Sequence, residues 1–383
     1  MNLQLTARNA SFEELNALLT VQQEHKHDAI VSAPGIHSEE GVLAVEGMSR
    51  DGGRLNVLPT EAMDGDIASK LGIPVQYLRT LRADHVRLYD ENVNAWLTGR
   101  TEIDALMGRP GRGQDQRKFL VRTFADLDSP EPGIGRSLAS DRFARIDHLD
   151  WLTAILDGVL ASGIKVEVQE SNLTEKRMSL KLRAPELRML APLLLKNYRN
   201  PWTGETAETD PMVEVGLYTT NSETGGSKAS IGPFFHFPVC KNGMYVDRDA
   251  FSRVHLGGKQ EEGIVTWSNE TQNKMLSLVT SQARDAVTTF LNRDYMTAMI
   301  AEMTEKGSKP VKDGEVTVQA ITNKLHYPEE RREAILRMFY SGGQYTAAGV
   351  MQAFTATAQE QTDPDIAFEL ESDAFRALEM ASA

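Results

Sequence analysis

The sequence predicts an α+β protein in which a mostly antiparallel sheet packs against a long helix, with helical N- and C-terminal parts. Apolar and polar residues alternate over 164–183 and 213–239, which is the two-residue period of half-buried strands. From residue 268 the apolar residues recur at the spacing of an amphipathic helix instead. A group of strands followed by one packed helix is typical of an α+β unit.

The N-terminal region contains local start and stop signals. Residues 11–14, SFEE, match a capping box and predict a helix that ends between residues 25 and 28. Short strands are predicted around 42–45 and 54–58, separated by the turn signal Asp51-Gly52-Gly53. Thr60 is a predicted N-cap, and the helical region that it begins extends to about residue 97, with Gly99 as its stop.

The middle of the chain changes period several times. Residues 108–118 form a Gly- and Arg-rich loop before a strand at 119–124. Asp147 or Asp150 begins a helix that Gly163 ends. Residues 171–175 predict a hairpin connection, and 219–230 predict a second connection, with Gly225-Gly226 at its tip.

The C-terminal part reads as helical. Residues 268–271, SNET, predict the cap of the longest helix, and a helical pair follows at about 328–340 and 346–357. The residues after 357 have few apolar positions at core spacing, so we expect this tail to be mobile or to dock late. The predicted organisation is an acidic N-terminal segment (1–59), a main α+β domain (60–356, with a helical hairpin at 60–97, the sheet and long helix at 164–303 and the helical pair at 328–356) and an acidic tail (357–383).

Composition limits the classes of protein. The 383 residues carry a net charge of −13 and a single cysteine, Cys240, so an internal disulfide is excluded. No secretory signal and no apolar run of membrane-spanning length is visible, and we expect a cytoplasmic protein without a membrane partner. The negative charge is concentrated in residues 11–66 and 357–383, with net charges of −8 and −6. The region 67–356 is neutral and leaves room for local basic faces.

Motifs of catalysis are not recognisable. The chain has no phosphate-binding loop of the GxxxxGK[ST] type, no HExxH zinc motif and no GxSxG nucleophile elbow. Cys240, His236 and His255 allow a Cys/His pair, but packing is the simpler interpretation of a lone cysteine among aromatic residues. The carboxylate pairs Asp126/Asp128 and Asp363/Asp365 fit turns. We predict no cofactor, and an enzyme of unrecognised type stays open because distant residues leave no local motif.

Several segments together resemble a known family. They are "LGIPVQYLRTL" at 71–81, "VRTF" at 121–124, "GRSLASDRFARIDHLDWL" at 135–152, "GLYTTNSETGGSKASIGPFFHFPVCKNGM" at 216–244 and "YTAAGVMQAFTATA" at 345–358. In these segments the chain resembles the phage- and plasmid-like family called domain of unknown function 932, over most of 55–358. The chain has His255-Leu256-Gly257 where the family pattern has His-Thr-Gly. The resemblance implies a protein of phages, plasmids or integrated elements, and hence a role in DNA metabolism.

Single-stranded DNA is the partner that we predict, bound without turnover. Such a protein needs cations for the phosphates and flat side chains for the bases. The predicted binding residues are the cations Arg117, Lys118, Arg122, Arg142, Arg145, Lys176, Arg177, Lys181 and Arg183, with Tyr218 and Phe234 as stacking groups. The order of strands and long helix is similar to that of phage annealing proteins, which implies a homo-oligomer. The acidic ends would then dock a protein partner or mask the groove.

A second interpretation is duplex recognition by a helix-turn-helix at 67–82. Ala68, Gly72 and Leu78 have the spacing that allows two helices to cross closely. Gln76, Arg79 and Arg82 would then face the major groove of the duplex. The same residues also fit a helical hairpin that packs on the sheet, and Pro74 suits the start of the second helix in both cases.

Overall fold

The α+β class is confirmed. The computed structural model describes residues 3–98, 117–207, 211–239, 242–253 and 269–383. Its strands are β1 (Ala7–Arg8), β2 (Lys26–Ser32), β3 (Ile36–Glu39), β4 (Val42–Glu46), β5 (Arg54–Pro59), β6 (Lys118–Phe124), β7 (Gly133–Ser140), β8 (Glu167–Leu173), β9 (Met178–Leu190), β10 (Met212–Asn221), β11 (Ala229–Phe237), β12 (Asn242–Tyr245) and β13 (Phe251–Arg253). Its helices are α1 (Phe12–Glu24), α2 (Glu61–Leu71), α3 (Val75–Asp84), α4 (Val86–Thr98), α5 (His148–Ser162), α6 (Asn269–Phe290), α7 (Arg293–Gly307), α8 (Gly314–Lys324), α9 (Glu329–Gly342), α10 (Ala347–Gln359) and α11 (Pro364–Ser382).

The strands form two sheets with separate hydrophobic cores. The N-terminal sheet has the order β2-β6-β7-β5-β4-β3, and β5 and β7 are its parallel pair. Phe119 and Val121 face a core shared with α2, α3 and α4. The alternate positions of β6, such as Arg122, therefore face the other way.

The central sheet has the order β1-β8-β9-β10-β11-β12, and β13 also pairs with β11. It is antiparallel throughout, as predicted. Both of its faces are covered. Val215 and Leu217 face the main core beside α5 and α6, and the indole N–H of Trp151 in α5 donates to Thr219 Oγ1 at 2.7 Å. Lys181 and Tyr218 lie on the opposite face, which α11 covers.

Local signals in the sequence correspond to the ends of several helices. The Ser11 capping box and the Thr60 cap are both formed, and Gly163 ends α5 in the left-handed conformation. The prediction of one helical region over 60–97 is only partly right, because Gly72, Pro74 and His85 divide it into α2, α3 and α4. α6 is the longest helix among the described residues, and its predicted cap Ser268 lies outside them.

Of the two expectations for the acidic tail, mobility or late docking, the first does not fit, because the tail is docked on the main core. Residues 364–382 form α11, and Leu370, Ala374, Phe375 and Leu378 are buried in the main core. The apolar side of this helix was hidden in the sequence by the acidic residues of its other positions. The boundary drawn at residue 59 also falls inside the N-terminal sheet, since Pro59 of β5 pairs with Gly135 of β7, 76 positions later in the chain.

Within the described part of the chain, no helix has both the length and the apolar composition needed to cross a membrane.

Candidate nucleic-acid interface

The two sheets meet at a buried set of charged side chains. We call it the junction cluster, and its members are Lys26, Asp28, Arg122, Arg136, Asp147 and Glu223. Arg122 is its centre, because its guanidinium donates to Asp28 at 2.8 Å, to Asp147 at 2.5 Å and to the backbone oxygen of Glu223 at 2.8 Å. Asp147 is the N-cap residue of α5 and Glu223 follows β10. The cluster therefore joins the N-terminal sheet to the central sheet.

The charges of the junction cluster stabilise one another. Burial disfavours the charged guanidinium of Arg122, yet the fields of Asp28, Glu223 and Asp147 outweigh it and raise its pKa. Burial acts to raise the pKa of Glu223, but attraction to His148, Arg136 and Arg122 holds that pKa well below its usual range. Both side chains are thus charged at neutral pH. Arg122 has no exposed surface, so its predicted contact with a phosphate is wrong for this conformation.

His148 makes stability depend on pH at the same place. Its ring is buried beside Asn221, and burial lowers its pKa from 6.5 to about 4. Below pH 6.5 the unfolded chain takes up a proton that the folded chain refuses. The free energy of unfolding should therefore fall by about 3 kcal/mol as the pH drops from 6.5 to 4. We expect His148→Gln to lose this part of the pH dependence in urea unfolding, while the exposed His37→Gln keeps it; equal slopes for the two variants would contradict the assignment.

Lys181 lies in a second buried ion cluster, on the face covered by α11. It pairs with Glu170, and its Nζ lies 2.7 Å from Glu371 Oε2 of α11. Burial acts to lower the pKa of Lys181, but Glu371 and Glu170 raise it above its ordinary value. Lys181 is therefore charged and already fully paired, contrary to its predicted role as an exposed phosphate ligand.

The two predicted stacking groups are buried as well. Tyr218 and Phe234 pack with Tyr245 in a small aromatic cluster, and Phe368 of α11 lies against it. The hydroxyl of Tyr218 donates to Asp247. Neither ring can receive a base in this conformation. The sequence could not reveal this, because the covering residue is 150 residues from Tyr218 along the chain.

Arg177 and Arg183 are half-buried and paired. Arg177 Nε lies 2.5 Å from Asp365 Oδ1, and its guanidinium also lies over the ring of Phe368. Arg183 pairs with Glu167 at 2.6 Å and with Glu214 at 3.4 Å. These two predicted ligands are held by carboxylates of the chain itself.

The remaining predicted cations lie at the rim of the junction. Lys118, Arg142 and Lys176 are exposed, and so is Lys228, which the prediction missed. None of the four forms a salt bridge with another described residue. We call these four residues the basic rim. Lys228 could have been found from the sequence, because it lies in the predicted 219–230 connection, two residues after Gly225-Gly226.

Strand register and contacts show that the segments carrying the basic rim adjoin one another. Phe119, next to Lys118, pairs with Ser140 at the end of β7, two residues before Arg142. A Cβ on Gly225 would lie 3.3 Å from the ring of Phe143, and one on Gly226 would lie 3.1 Å from Lys176 Cβ. The order in space is therefore Lys118, Arg142, the tip of the β10–β11 connection, and Lys176.

Aromatic side chains accompany these cations. Phe143 is half-buried beside Arg142, and Arg145 lies two residues further on, also half-buried and with contacts of its own. On the helix-covered face of the N-terminal sheet, the guanidinium of the exposed Arg117 lies 4.4 Å above the ring of Trp96 and donates to the Trp96 backbone oxygen. Most of the predicted basic loop at 108–118 lies outside the described residues.

The helix-turn-helix segment folds as two helices with a left-handed Gly72 between them. Arg82 donates to Asp64 at 2.7 Å, and Arg79 donates to the backbone oxygen of Glu61 at 3.1 Å. Both arginines are thus directed back to the first helix, and α2 packs on β7. This arrangement matches the helical hairpin that packs on the sheet.

The residues considered for catalysis have structural partners where they are described. Asp126 accepts from the backbone N–H of Asp128, and Asp363 caps α11. His236 lies 3.1 Å from Glu214 and is buried. Cys240 and His255 lie outside the described residues.

Comparison of the chain with models of protein families, with curated proteins and with solved structures found no significant match.

Proposed function

We propose that this protein binds single-stranded nucleic acid, most simply single-stranded DNA, along the basic rim and without catalytic turnover. One observation carries the proposal. Four exposed cations lie on adjoining segments of the chain and form no salt bridge among the described residues. Phosphate groups spaced along a strand are the natural partners of such a row.

The aromatic rings favour a single strand over a duplex. Phe143 lies within the rim, whereas Trp96, beneath Arg117, packs against Phe119 on the other face of β6. Flat side chains stack on unpaired bases, whereas in a duplex the bases are stacked on one another. Arg79 donates to the backbone oxygen of Glu61, and Arg82 donates to the carboxylate of Asp64, both in α2. These contacts give less support to the alternative that the two arginines read a DNA duplex.

The resemblance to a phage- and plasmid-like family fits this role but remains a prediction. Proteins of mobile elements that anneal strands need binding without chemistry, and they act as oligomers. A homo-oligomer and a cytoplasmic location are part of the proposal on the same basis.

Charge reversal in the basic rim tests the proposed function. We expect Arg142→Glu/Lys176→Glu to weaken binding of a labelled single-stranded oligonucleotide at least about tenfold at about 50 mM salt. Each single-strand phosphate contact contributes about 0.7 to the slope of log K against log salt, so the slope should fall by about 1.4. Fluorescence anisotropy over a salt series measures both quantities.

The matched control is Lys196→Glu/Lys312→Glu. It makes the same change of net charge with two exposed lysines that lie near the 310–346 contact on the helical side of the molecule. We expect the control to keep most of the affinity. Equal losses in the two double variants would show that only net charge matters, and binding that neither variant changes would exclude the rim as the binding surface.

A further inference from the structure

The first two turns of α11 make contacts of the kind that a single strand would make. The carboxylate of Asp365 lies 2.5 Å from Arg177 Nε, and the Asp365 backbone oxygen accepts from Arg177 Nη2 at 3.0 Å. The ring of Phe368 lies between Arg177, at 4.2 Å, and Tyr245, with a distance of 5.0 Å between the ring centroids. An anion on an arginine and a flat ring on an aromatic side chain are the two elements of single-strand recognition.

This end of α11 is attached more weakly than the rest of the helix. Asp365, Phe368 and their neighbours over 364–368 are half-buried, and Glu369 is exposed. Burial becomes complete only from Leu370 onwards, where Ala374 and Phe375 belong to the main core. Helix ends open at lower free energy than buried helix centres. The first turns can therefore detach while the remainder of α11 stays in place.

The surface beneath these turns continues the basic rim. Lys176 of the rim directly precedes Arg177 in the chain. On the other side, burial raises the pKa of Asp247, and Lys228 lies close enough to counteract part of that rise. Asp247 also accepts a hydrogen bond from the hydroxyl of Tyr218. A strand that follows the rim past Lys176 therefore arrives at the edge of Phe368.

From these contacts we infer that Arg177, Tyr218 and Tyr245 form a second nucleic-acid subsite, which the first turns of α11 occupy as an internal mimic until a single strand displaces them. The inference rests on the proposed function. Asp365 stands in for a phosphate and Phe368 for a base. Glu371 keeps Lys181 paired, so only the outer part of the covered face opens.

The test compares two double variants of the same turns. Asp365→Asn/Phe368→Ala removes both mimicking groups. The control, Glu369→Gln/Ile366→Ala, also removes one acidic and one apolar side chain. Glu369 contacts Arg331, and Ile366 packs against the main core. We expect the first variant to bind a single-stranded oligonucleotide about tenfold more tightly than the parent, which is the effect of one unmasked stacking contact. The control should match the parent, and circular dichroism establishes that both variants are folded.

Hydrogen exchange gives a second measurement on the unaltered chain. The amides of residues 367–370 should exchange faster when the oligonucleotide is bound. Equal affinities of the two double variants, or exchange that binding slows or leaves unchanged, would overturn the internal mimic. If that happens while Arg142→Glu/Lys176→Glu still loses affinity, the proposed function stands without it; if the parent does not bind at all, both fail.

Discussion

We expect Arg122→Met to lower the free energy of unfolding by about 3–5 kcal/mol. Arg122 is fully buried and contacts three acidic residues, Asp28, Asp147 and Glu223. Methionine fills a similar volume but leaves carboxylates without their main counter-charge in a place that water does not reach. Breaking a buried pair on one side is costly for this reason, even where the intact pair adds little.

Urea unfolding followed by circular dichroism measures this change, with the slope against urea held common to parent and variant. Arg87→Met is the matched control. Arg87 forms an exposed pair with Glu91 on α4, and we expect no measurable change from its loss. A loss for Arg122→Met as small as that of the control would mean that the junction cluster does not hold the two sheets together.

Arg122 also shows why the sequence predicted residue types better than roles. Arg122 lies on β6, and its charge alone predicted that it would contact a phosphate. Its partners lie 94, 25 and 101 residues away along the chain, on β2, at the cap of α5 and after β10. No local pattern links positions so far apart. The same holds for Lys181 and Glu371, which are separated by 190 residues.

Features fixed by neighbouring residues were predictable. The Ser11 capping box, the Thr60 cap and the Gly163 stop each depend on side chains or backbone within four residues. The alternation of Leu180 and Leu182 with polar residues likewise predicts a strand and the face that it buries. The parallel pairing of β5 with β7 and the docking of α11 were not predictable, since they depend on contacts between distant segments.

Lys118, Arg142 and Lys176 are predicted cations of the basic rim. All three were predicted from charge alone, and all three are exposed. What the sequence missed is that a carboxylate of the chain holds Arg177, the neighbour of Lys176. Exposure, and not charge, therefore separates the residues that can meet a ligand from those that hold the fold.

We expect Gly216→Ala to lower the free energy of unfolding by about 3 kcal/mol, or to prevent folding, because the added methyl group has no space. A Cβ at this position would lie 1.9 Å from the carbonyl oxygen of Leu182 and 2.8 Å from Arg183 Cα. Both are backbone atoms of the neighbouring strand β9, so no side-chain rotation relieves the overlap. The close approach lies next to the irregular pairing of β10 and β9 between Glu214 and Val215, a setting in which strand glycines are common.

Gly65→Ala is the matched control for Gly216→Ala. Gly65 lies inside α2, and a Cβ there would meet nothing within 4 Å. Alanine favours a helix over glycine, so this variant should gain about 0.5–1 kcal/mol in urea unfolding. Opposite signs for the same chemical change would establish that steric overlap on β10 decides the outcome. β10 also carries Tyr218 and leads to the tip beside Lys176. If Gly216→Ala folds normally, the pairing of β10 with β9, which aligns the basic rim, differs from the one described.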